Sequence, residues 1–153
     1  MQHQDELILH QDSDVESITI HPAYADKRRL YNDIALLHLA EDFKLQQNLD
    51  TVCLPSLIEE QDKSFDTNDC YVMGWGKNAF GEQGTYQNTM RQFSLSLVEH
   101  EECEVKLRKT ELRDNFILHD NFVCAGGEKD RDVCEGDGGG PLVCRDKNNK
   151  DDR

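Results

Sequence analysis

The sequence contains no apolar run of about 18 residues, the length that a membrane-spanning helix needs. No charged segment followed by an apolar one comes after Met1, so no signal peptide is recognisable. Basic residues are scarce too, because 17 lysines and arginines face 31 aspartates and glutamates, a formal net charge of −14. Nucleic acids and anionic membranes bind basic faces, so this charge argues against both and is compatible with a basic protein partner.

Hydrophobic residues are also few, at 37% of a chain of 153 residues. A chain of this length ordinarily forms one domain that buries roughly two thirds of its unfolded surface. The acidic excess opposes such compaction through self-repulsion. We therefore expect part of the usual core to be missing.

The six cysteines include no Cys-x-x-Cys pair. Their scatter suggests a secreted chain with disulfide bonds, for which six cysteines allow about 15 complete pairings. His100 and Cys103 are close enough in sequence to share a metal ion, but no second pair of ligands accompanies them. We expect neither a metal site nor a cofactor.

Local patterns predict an all-β chain with one short helix. Alternation of apolar residues predicts strands over Asp14–Ile20 and Met90–Val98, and the apolar run Asn32–Leu39 predicts a buried strand. Lys77–Asn88, rich in glycine, asparagine and glutamine, predicts a hairpin loop. Glu99–Leu112 has an acidic start and a basic end, which suits a helix aligned with its dipole.

The most informative stretch runs from Cys134 to Cys144 and contains four glycines. Glycine leaves the backbone free to bend and exposes its N–H groups, so such a turn can cradle an oxyanion. The stretch resembles the nucleophile loop of trypsin- and chymotrypsin-like serine proteases, whose pattern is Gly-Asp-Ser-Gly-Gly-Pro-Leu. Gly138 stands in the place of that serine, and the resemblance makes Gly136 and Gly138 the oxyanion-type positions. The alternative interpretation is a glycine-rich surface turn.

Gly138 has no side chain that could attack a carbonyl carbon, which closes the acyl-enzyme route at its first step. No serine follows Ser96, and Cys134 and Cys144 are better used in disulfides. We therefore expect no nucleophile in this loop.

Two other segments carry the same resemblance. Asn32–Leu37 matches the family segment Asn-Asp-Ile-Ala-Leu-Leu, which gives Asp33 the position of the triad acid; the alternative is an aspartate that begins a strand. Cys70–Gly76 resembles an early strand of the second barrel, whose glycines permit close approach around Trp75. The family's histidine, in an Ala-Ala-His-Cys context, is not found upstream of Asp33. By this resemblance, the chain begins downstream of the catalytic histidine.

The resemblance also implies roles for two acids of the same region. Asp132 falls at the base of the family's pocket for lysine or arginine, although we favour a solvated loop acid because the pocket walls come from a later segment. Asp137 matches the aspartate that receives a newly cleaved N-terminal amine in active members.

Cysteine pairing follows from the resemblance in the same way. It joins Cys70 to Cys144 and Cys103 to Cys124. Cys53 and Cys134 are then left unpaired in this chain.

Together these segments imply a partial trypsin-like double β-barrel. Residues 1–48 would form the end of the first barrel, 49–69 the crossover and 70–144 most of the second barrel, so that 1–144 is a partial peptidase S1-like domain. The polar tail 145–153 is predicted to be disordered. Because early strands of the first barrel and late strands of the second are absent, we expect the chain alone not to form a stable monomeric domain.

The serine-to-glycine change and the stretch Gly84–Arg91 resemble arthropod clip-domain serine protease homologues of the phenoloxidase-activating factor type. This implies a secreted pseudo-protease, not an enzyme, that binds proteins of an extracellular immune protease cascade as a cofactor or regulator. One alternative is an active trypsin-like serine endopeptidase represented by a truncated gene model. Another is an unrelated acidic β-domain. A serine codon at position 138 on resequencing would favour the enzyme.

Overall fold

A computed structural model of the chain describes residues 8–24, 30–54, 65–128 and 132–147. The chain divides into two compact units, Met1–Ser56 and Leu57–Arg153. In chain order the elements are the strands β1 (Val15–Ile20), β2 (Ala35–Leu39), β3 (Phe65–Gly74), β4 (Arg91–Leu95) and β5 (Leu97–Val98), the helix α1 (His100–Arg108), and the strands β6 (Cys124–Ala125) and β7 (Leu142–Asp146). Strands and one short helix over the described residues confirm the predicted fold class.

The first unit, Met1–Ser56, is built on an antiparallel pair of strands, β1 and β2. β1 is rich in β-branched residues, which favour extended backbone. Val15 lies opposite Leu39 and Ile20 opposite Ala35, with a register shift between Val15 and Ser17. The amide of His21 donates to the carbonyl oxygen of Ile34 at 3.1 Å, and this bond continues the pairing past the end of β1.

The side chains of β2 are exposed except that of Leu39, which is half-buried, so the prediction of a buried strand over Asn32–Leu39 is wrong. Ile34 is 64% exposed and Leu36 is 63% exposed. Within the described ranges β2 pairs with β1 alone. A two-stranded sheet satisfies backbone hydrogen bonds along one edge but covers neither face, so apolar side chains on both faces stay in water.

The second unit, Leu57–Arg153, has its core around β3. This strand lies between β4 and β7 and is antiparallel to both. Cys70 faces Leu95 across one ladder and Cys144 across the other. Cys70, Val72 and Leu95 are buried, since the central strand has neighbours on both sides.

The strand predicted over Met90–Val98 is divided at Ser96. β4 ends at Leu95, and β5 then pairs with β6 in a second small sheet. The carbonyl oxygen of Ser96 accepts a 2.8 Å hydrogen bond from the amide of Gly126, which joins the chain to the segment after β6 at this point.

Helix α1 begins at His100, one residue after the predicted start. Glu101 and Glu102 lie in its first turn and Lys106 and Arg108 in its last, as the dipole favours. It ends before the predicted Leu112, because the last turn tightens: Lys109 N–H donates to the carbonyl of Lys106 and Thr110 N–H to that of Leu107.

Two disulfides tie the elements of the second unit together. One joins Cys70 on β3 to Cys144 on β7, and the other joins Cys103 on α1 to Cys124 on β6. Within the part of the chain that the structure describes, no helix is long and apolar enough to cross a membrane.

β7 continues through Asp146, so the disorder predicted for 145–153 is wrong at Arg145 and Asp146. Asp146 pairs with Phe65, and the Arg145 Nε atom lies 3.3 Å from an oxygen of Asp69. The remainder of the predicted tail from residue 148, and residues 55–64 of the predicted crossover, lie outside the described residues.

Candidate functional site

The glycine loop, residues 134–140, lies directly before Pro141 and β7. Two successive turns shape it: Asp137 N–H donates to the carbonyl of Cys134, and Gly140 N–H donates to the carbonyl of Asp137, each at 3.0 Å. Gly136 has a φ of 99° and Gly139 a φ of 85°, a backbone conformation that L side chains rarely adopt. Glycine at these two positions is therefore required by the shape of the loop.

Gly138, the predicted serine position, is exposed and is not among the residues with positive φ. A Cβ atom built there would meet no atom within 4 Å. The loop would accept a serine side chain without moving. The absence of a side chain at position 138 is thus a property of the residue and is not imposed by the loop conformation.

Asp137 is half-buried, and its carboxylate is held by the chain's own backbone. Oδ1 accepts the Gly76 N–H at 2.7 Å and Oδ2 accepts the Cys134 N–H at 3.0 Å. Charge-assisted hydrogen bonds of this kind are stronger than those between neutral groups. Asp137 therefore joins the glycine loop to the residues that follow β3.

Two glycines at the end of β3 make room for this carboxylate. A Cβ on Gly74 would lie 2.1 Å from Asp137 Oδ1, and one on Gly76 would lie 2.5 Å from it. The expected close approach around Trp75 is thus an approach by Asp137, and the Trp75 side chain is 56% exposed.

Glu135, which no motif of the sequence singles out, makes the other contacts of the loop. Its Oε2 atom lies 2.5 Å from Lys77 Nζ, and its Oε1 atom accepts a 3.0 Å hydrogen bond from the Tyr86 hydroxyl. Its carbonyl oxygen accepts the Lys77 N–H at 2.9 Å. Lys77 Nζ also lies 5.4 Å from the centre of the Tyr86 ring, within reach of a cation–π interaction.

These contacts shift the ionisation of all three side chains. The Lys77 ammonium, and then the Tyr86 hydroxyl, lower the pKa of Glu135 by hydrogen bonding to its carboxylate. The same carboxylate raises the pKa of Lys77 and the pKa of Tyr86. The deprotonated glutamate and the protonated lysine are therefore the favoured forms near neutral pH.

Asp132 is exposed, and one of its carboxylate oxygens accepts the N–H of Val133 at 2.8 Å. It lines a cavity of about 160 Å³ together with Asp137, Lys77 and Arg91. Because two carboxylates and two cations line this small cavity, its lining is neither predominantly negative nor predominantly positive.

Asp33, the predicted triad acid, belongs to the first unit, Met1–Ser56, whereas the glycine loop belongs to the second. Asp33 is exposed and lies two residues before β2. Asn32, which precedes it, has a φ of 56° and donates a 2.9 Å hydrogen bond from Nδ2 to the carbonyl of Ala23. The structure thus brings together Asp132, Gly136, Asp137 and Gly138 in the second unit, whereas Asp33 belongs to the first unit.

The disulfides join the pairs that the resemblance implies, and Cys53 and Cys134 carry free thiols. Cys53 is exposed, whereas Cys134 is half-buried with its sulfur 3.5 Å from the carbonyl oxygen of Ala79. Cys103 is consumed by its disulfide and cannot ligate a metal. Among the described residues no group of three or more potential ligands surrounds a common point.

Comparison with known proteins adds the following findings. The sequence pattern of the trypsin family matches residues 2–149. The chain is 42% identical over 139 residues to phenoloxidase-activating factor 2 of Galleria mellonella, covering 91% of this chain and 45% of that protein. It is 40% identical over 133 residues to inactive CLIP domain-containing serine protease A3 of Aedes aegypti, covering 85% of this chain and 26% of the relative.

Among solved structures, the chain is similar to neuropsin, a serine protease expressed in the limbic system of mouse brain. The TM-score is 0.69 at 26% identity, and the match covers 88% of this chain and 55% of neuropsin. The chain thus spans less than half of the length of the two curated relatives named above.

Proposed function

The chain belongs to the trypsin family, and we propose that it is an inactive member that acts by binding other proteins. Its role is that of a cofactor or regulator in an extracellular protease cascade. The observation that carries this proposal is that the predicted serine position, Gly138, has open space around it and no nucleophilic atom. The resemblance stated from the motifs is confirmed at the level of the family, and the fold is trypsin-like as predicted.

Inactivity follows from the chemistry of acyl transfer. That reaction needs a nucleophile, a base that accepts its proton, and donors for the oxyanion that develops. Gly138 supplies only a backbone N–H, and the neighbouring Asp137 carboxylate is directed to the amides of Gly76 and Cys134 rather than to solvent. In this proposal the glycine loop is a surface of defined shape rather than a reaction site. Asp33 retains the position of a triad acid without its catalytic task.

The cascade role is supported by the proteins to which the chain is similar. Its relatives include a phenoloxidase-activating factor and proteins named as inactive CLIP domain-containing serine proteases. Two disulfides in the structure favour an oxidising, extracellular compartment. The partner in this proposal is a protein of that cascade.

The test of inactivity is hydrolysis of lysine and arginine amide and ester substrates by the purified chain. We expect no turnover, since loss of the nucleophile alone costs on the order of a millionfold in subtilisin. Gly138→Ser should also be inactive, because no histidine of this chain lies in the family's catalytic context; Gly138→Ala is its matched control. Turnover by the unmodified chain that a serine-protease inhibitor blocks would contradict the proposal.

Binding is tested separately from inactivity. In plasma of Galleria mellonella, we expect the added chain to change the rate at which phenoloxidase activity appears, with Gly138→Ala giving the same change. An unchanged rate would contradict the cascade role while leaving inactivity in place.

A further inference from the structure

Lys77, Tyr86 and Glu135 form a closed cluster beside the glycine loop, and none of the roles above uses it. Each pair among the three is in contact, with Glu135 bound to both partners and Lys77 near the Tyr86 ring. Lys77 has 19% of its side chain exposed, against 66% for Glu135. The lysine side chain is thus partly covered, whereas the glutamate side chain is largely exposed.

We propose that this cluster is a latch that fixes the glycine loop to the hairpin of residues 77–86 without any bound ligand. The hairpin is closed by a bridge between Lys77 and Tyr86, so both partners of Glu135 lie side by side at its base. Main-chain bonding reinforces this attachment, because Lys77 N–H donates to the carbonyl of Glu135 itself. The latch is independent of whether the chain is active.

Asp137 holds the same loop from the adjacent residue. Its carboxylate binds the amide of Gly76, while Glu135 binds the side chain and the amide of Lys77. Two acids of the loop therefore grip two consecutive residues of one segment. Asp137 binds backbone donors, whereas Glu135 also binds two side chains, so the latch can be tested by substitution on either side of its contacts.

The latch also controls access to Gly136. A Cβ atom on Gly136 would lie 2.7 Å from Cε1 of the Tyr86 ring, so the ring packs directly against this glycine. The hydroxyl of the same ring is held by Glu135. Release of Glu135 frees the ring, and approach to Gly136 from this side then opens.

The chain contains its own reporter of loop opening. The Cys134 thiol precedes Glu135 and is held near the carbonyl of Ala79, also in the hairpin. Cys53 is an exposed free thiol in the other unit and reports reagent activity under the same conditions. The ratio of the two alkylation rates therefore measures the exposure of Cys134 independently of reagent activity.

The experiment alkylates the full chain with iodoacetamide and follows both cysteines by peptide mass spectrometry. Glu135→Gln should raise the Cys134 to Cys53 ratio by roughly 1.4- to five-fold, the range that measured exposed ion pairs predict. The control, Glu82→Gln, makes the same change at an exposed glutamate of the same hairpin and should leave the ratio unchanged. An unchanged ratio in Glu135→Gln would overturn the latch.

A second pair of variants tests whether the three side chains act as one unit, and circular dichroism of each variant checks that it remains folded. Lys77→Gln and Tyr86→Phe each remove one partner of Glu135, and we expect each to raise the ratio. Combined with Glu135→Gln, either should add less than its single effect, because the latch is already open. Fully additive effects would show three independent contacts and would also overturn the proposal.

Discussion

The two units differ in how far their strands bury apolar side chains. In Met1–Ser56 the pair of strands is flanked by exposed apolar side chains, whereas every buried apolar side chain that the structure describes lies in Leu57–Arg153. Both disulfides also lie in the second unit. Local sequence is sufficient to form a strand, but burial depends on a third strand or a covalent tie.

Polar contacts hold the first unit where apolar packing is lacking. Gln11 exchanges two 2.8 Å hydrogen bonds with the main chain of Lys44, and the Ser13 hydroxyl bonds the main chain of Glu41. Each such bond contributes only about 0.5–1.5 kcal/mol net, against about 1.5–3 kcal/mol for burying one large apolar side chain. The expectation that the chain alone lacks a stable monomeric fold stays a prediction, and the exposed side chains of β2 support it.

The largest effect should come from removing the covalent tie of the second unit. Cys70→Ala with Cys144→Ala opens a loop of 74 residues between two neighbouring strands. We expect the free energy of unfolding of this unit to fall by about 2–5 kcal/mol. Urea unfolding followed by the fluorescence of Trp75, the one tryptophan of the chain, measures it.

Cys53→Ala is the control for that measurement, since it removes a free, exposed thiol of the first unit. Its unfolding midpoint should equal that of the unmodified chain. If the double variant also kept this midpoint, the second unit would be no more dependent on covalent ties than the first.

A smaller effect is expected from Gly74→Ala, which disturbs the attachment of the glycine loop. Its Cβ would occupy the place of Asp137 Oδ1, so the carboxylate must leave the amides of Gly76 and Cys134. We expect a loss of about 1–3 kcal/mol in the free energy of unfolding, typical of overpacking. Denaturation followed by circular dichroism measures it without relying on neighbouring Trp75.

Gly138→Ala adds the same methyl group where it meets nothing, and its effect should stay within about 0.5 kcal/mol. If Gly74→Ala and Gly138→Ala lowered the free energy of unfolding equally, any added side chain would destabilise this region, irrespective of Asp137.

The positions of the strands and the helix followed from the sequence more closely than the burial of their side chains did. The strand over β1 and the helix α1 follow from patterns within a few residues, because β-branched content and end charges act locally. Burial of Ile34 and Leu36 did not follow, since it depends on which other strands cover them. The motif resemblance implied the two disulfide pairings that the structure shows. The roles that it assigns to Gly138 and Asp137 stay predictions, and a motif gives position and not contact.

The contacts that shape the site were beyond local patterns. Glu135 meets Lys77 and Tyr86 across 58 and 49 residues, and Asp137 meets Gly76 across 61. No periodicity links positions so far apart. Gly74 and Gly76 were the available signal, because glycine at the end of a strand indicates that another group approaches the backbone closely.

The smallest expected effect is a pH dependence of the latch, which is confined to one region of the second unit. The pKa of Glu135 is lowered by Lys77 and then by Tyr86, so its ionised form stabilises the folded latch. That contribution is complete above the ordinary pKa of glutamate and is lost as pH falls through the lowered one, below pH of about 4. The raised pKa of Lys77 preserves its charge through the neutral range. The Cys134 thiol also lies near Lys77 and Tyr86, and Asp132, Asp137 and Arg91 line the same cavity as Lys77.

Hydrogen exchange at the Lys77 amide, which donates to the carbonyl of Glu135, measures this dependence. Comparing the unmodified chain with Glu135→Gln at each pH cancels the intrinsic exchange rate. We expect slower exchange in the unmodified chain between pH 5 and 8, by roughly the small factor of an exposed ion pair, and convergence of the two below about pH 4. The His21 amide, bonded to Ile34 in the first unit, should exchange identically in both proteins. A difference at Lys77 that persisted in acid would show that the glutamate acts through its shape rather than its charge.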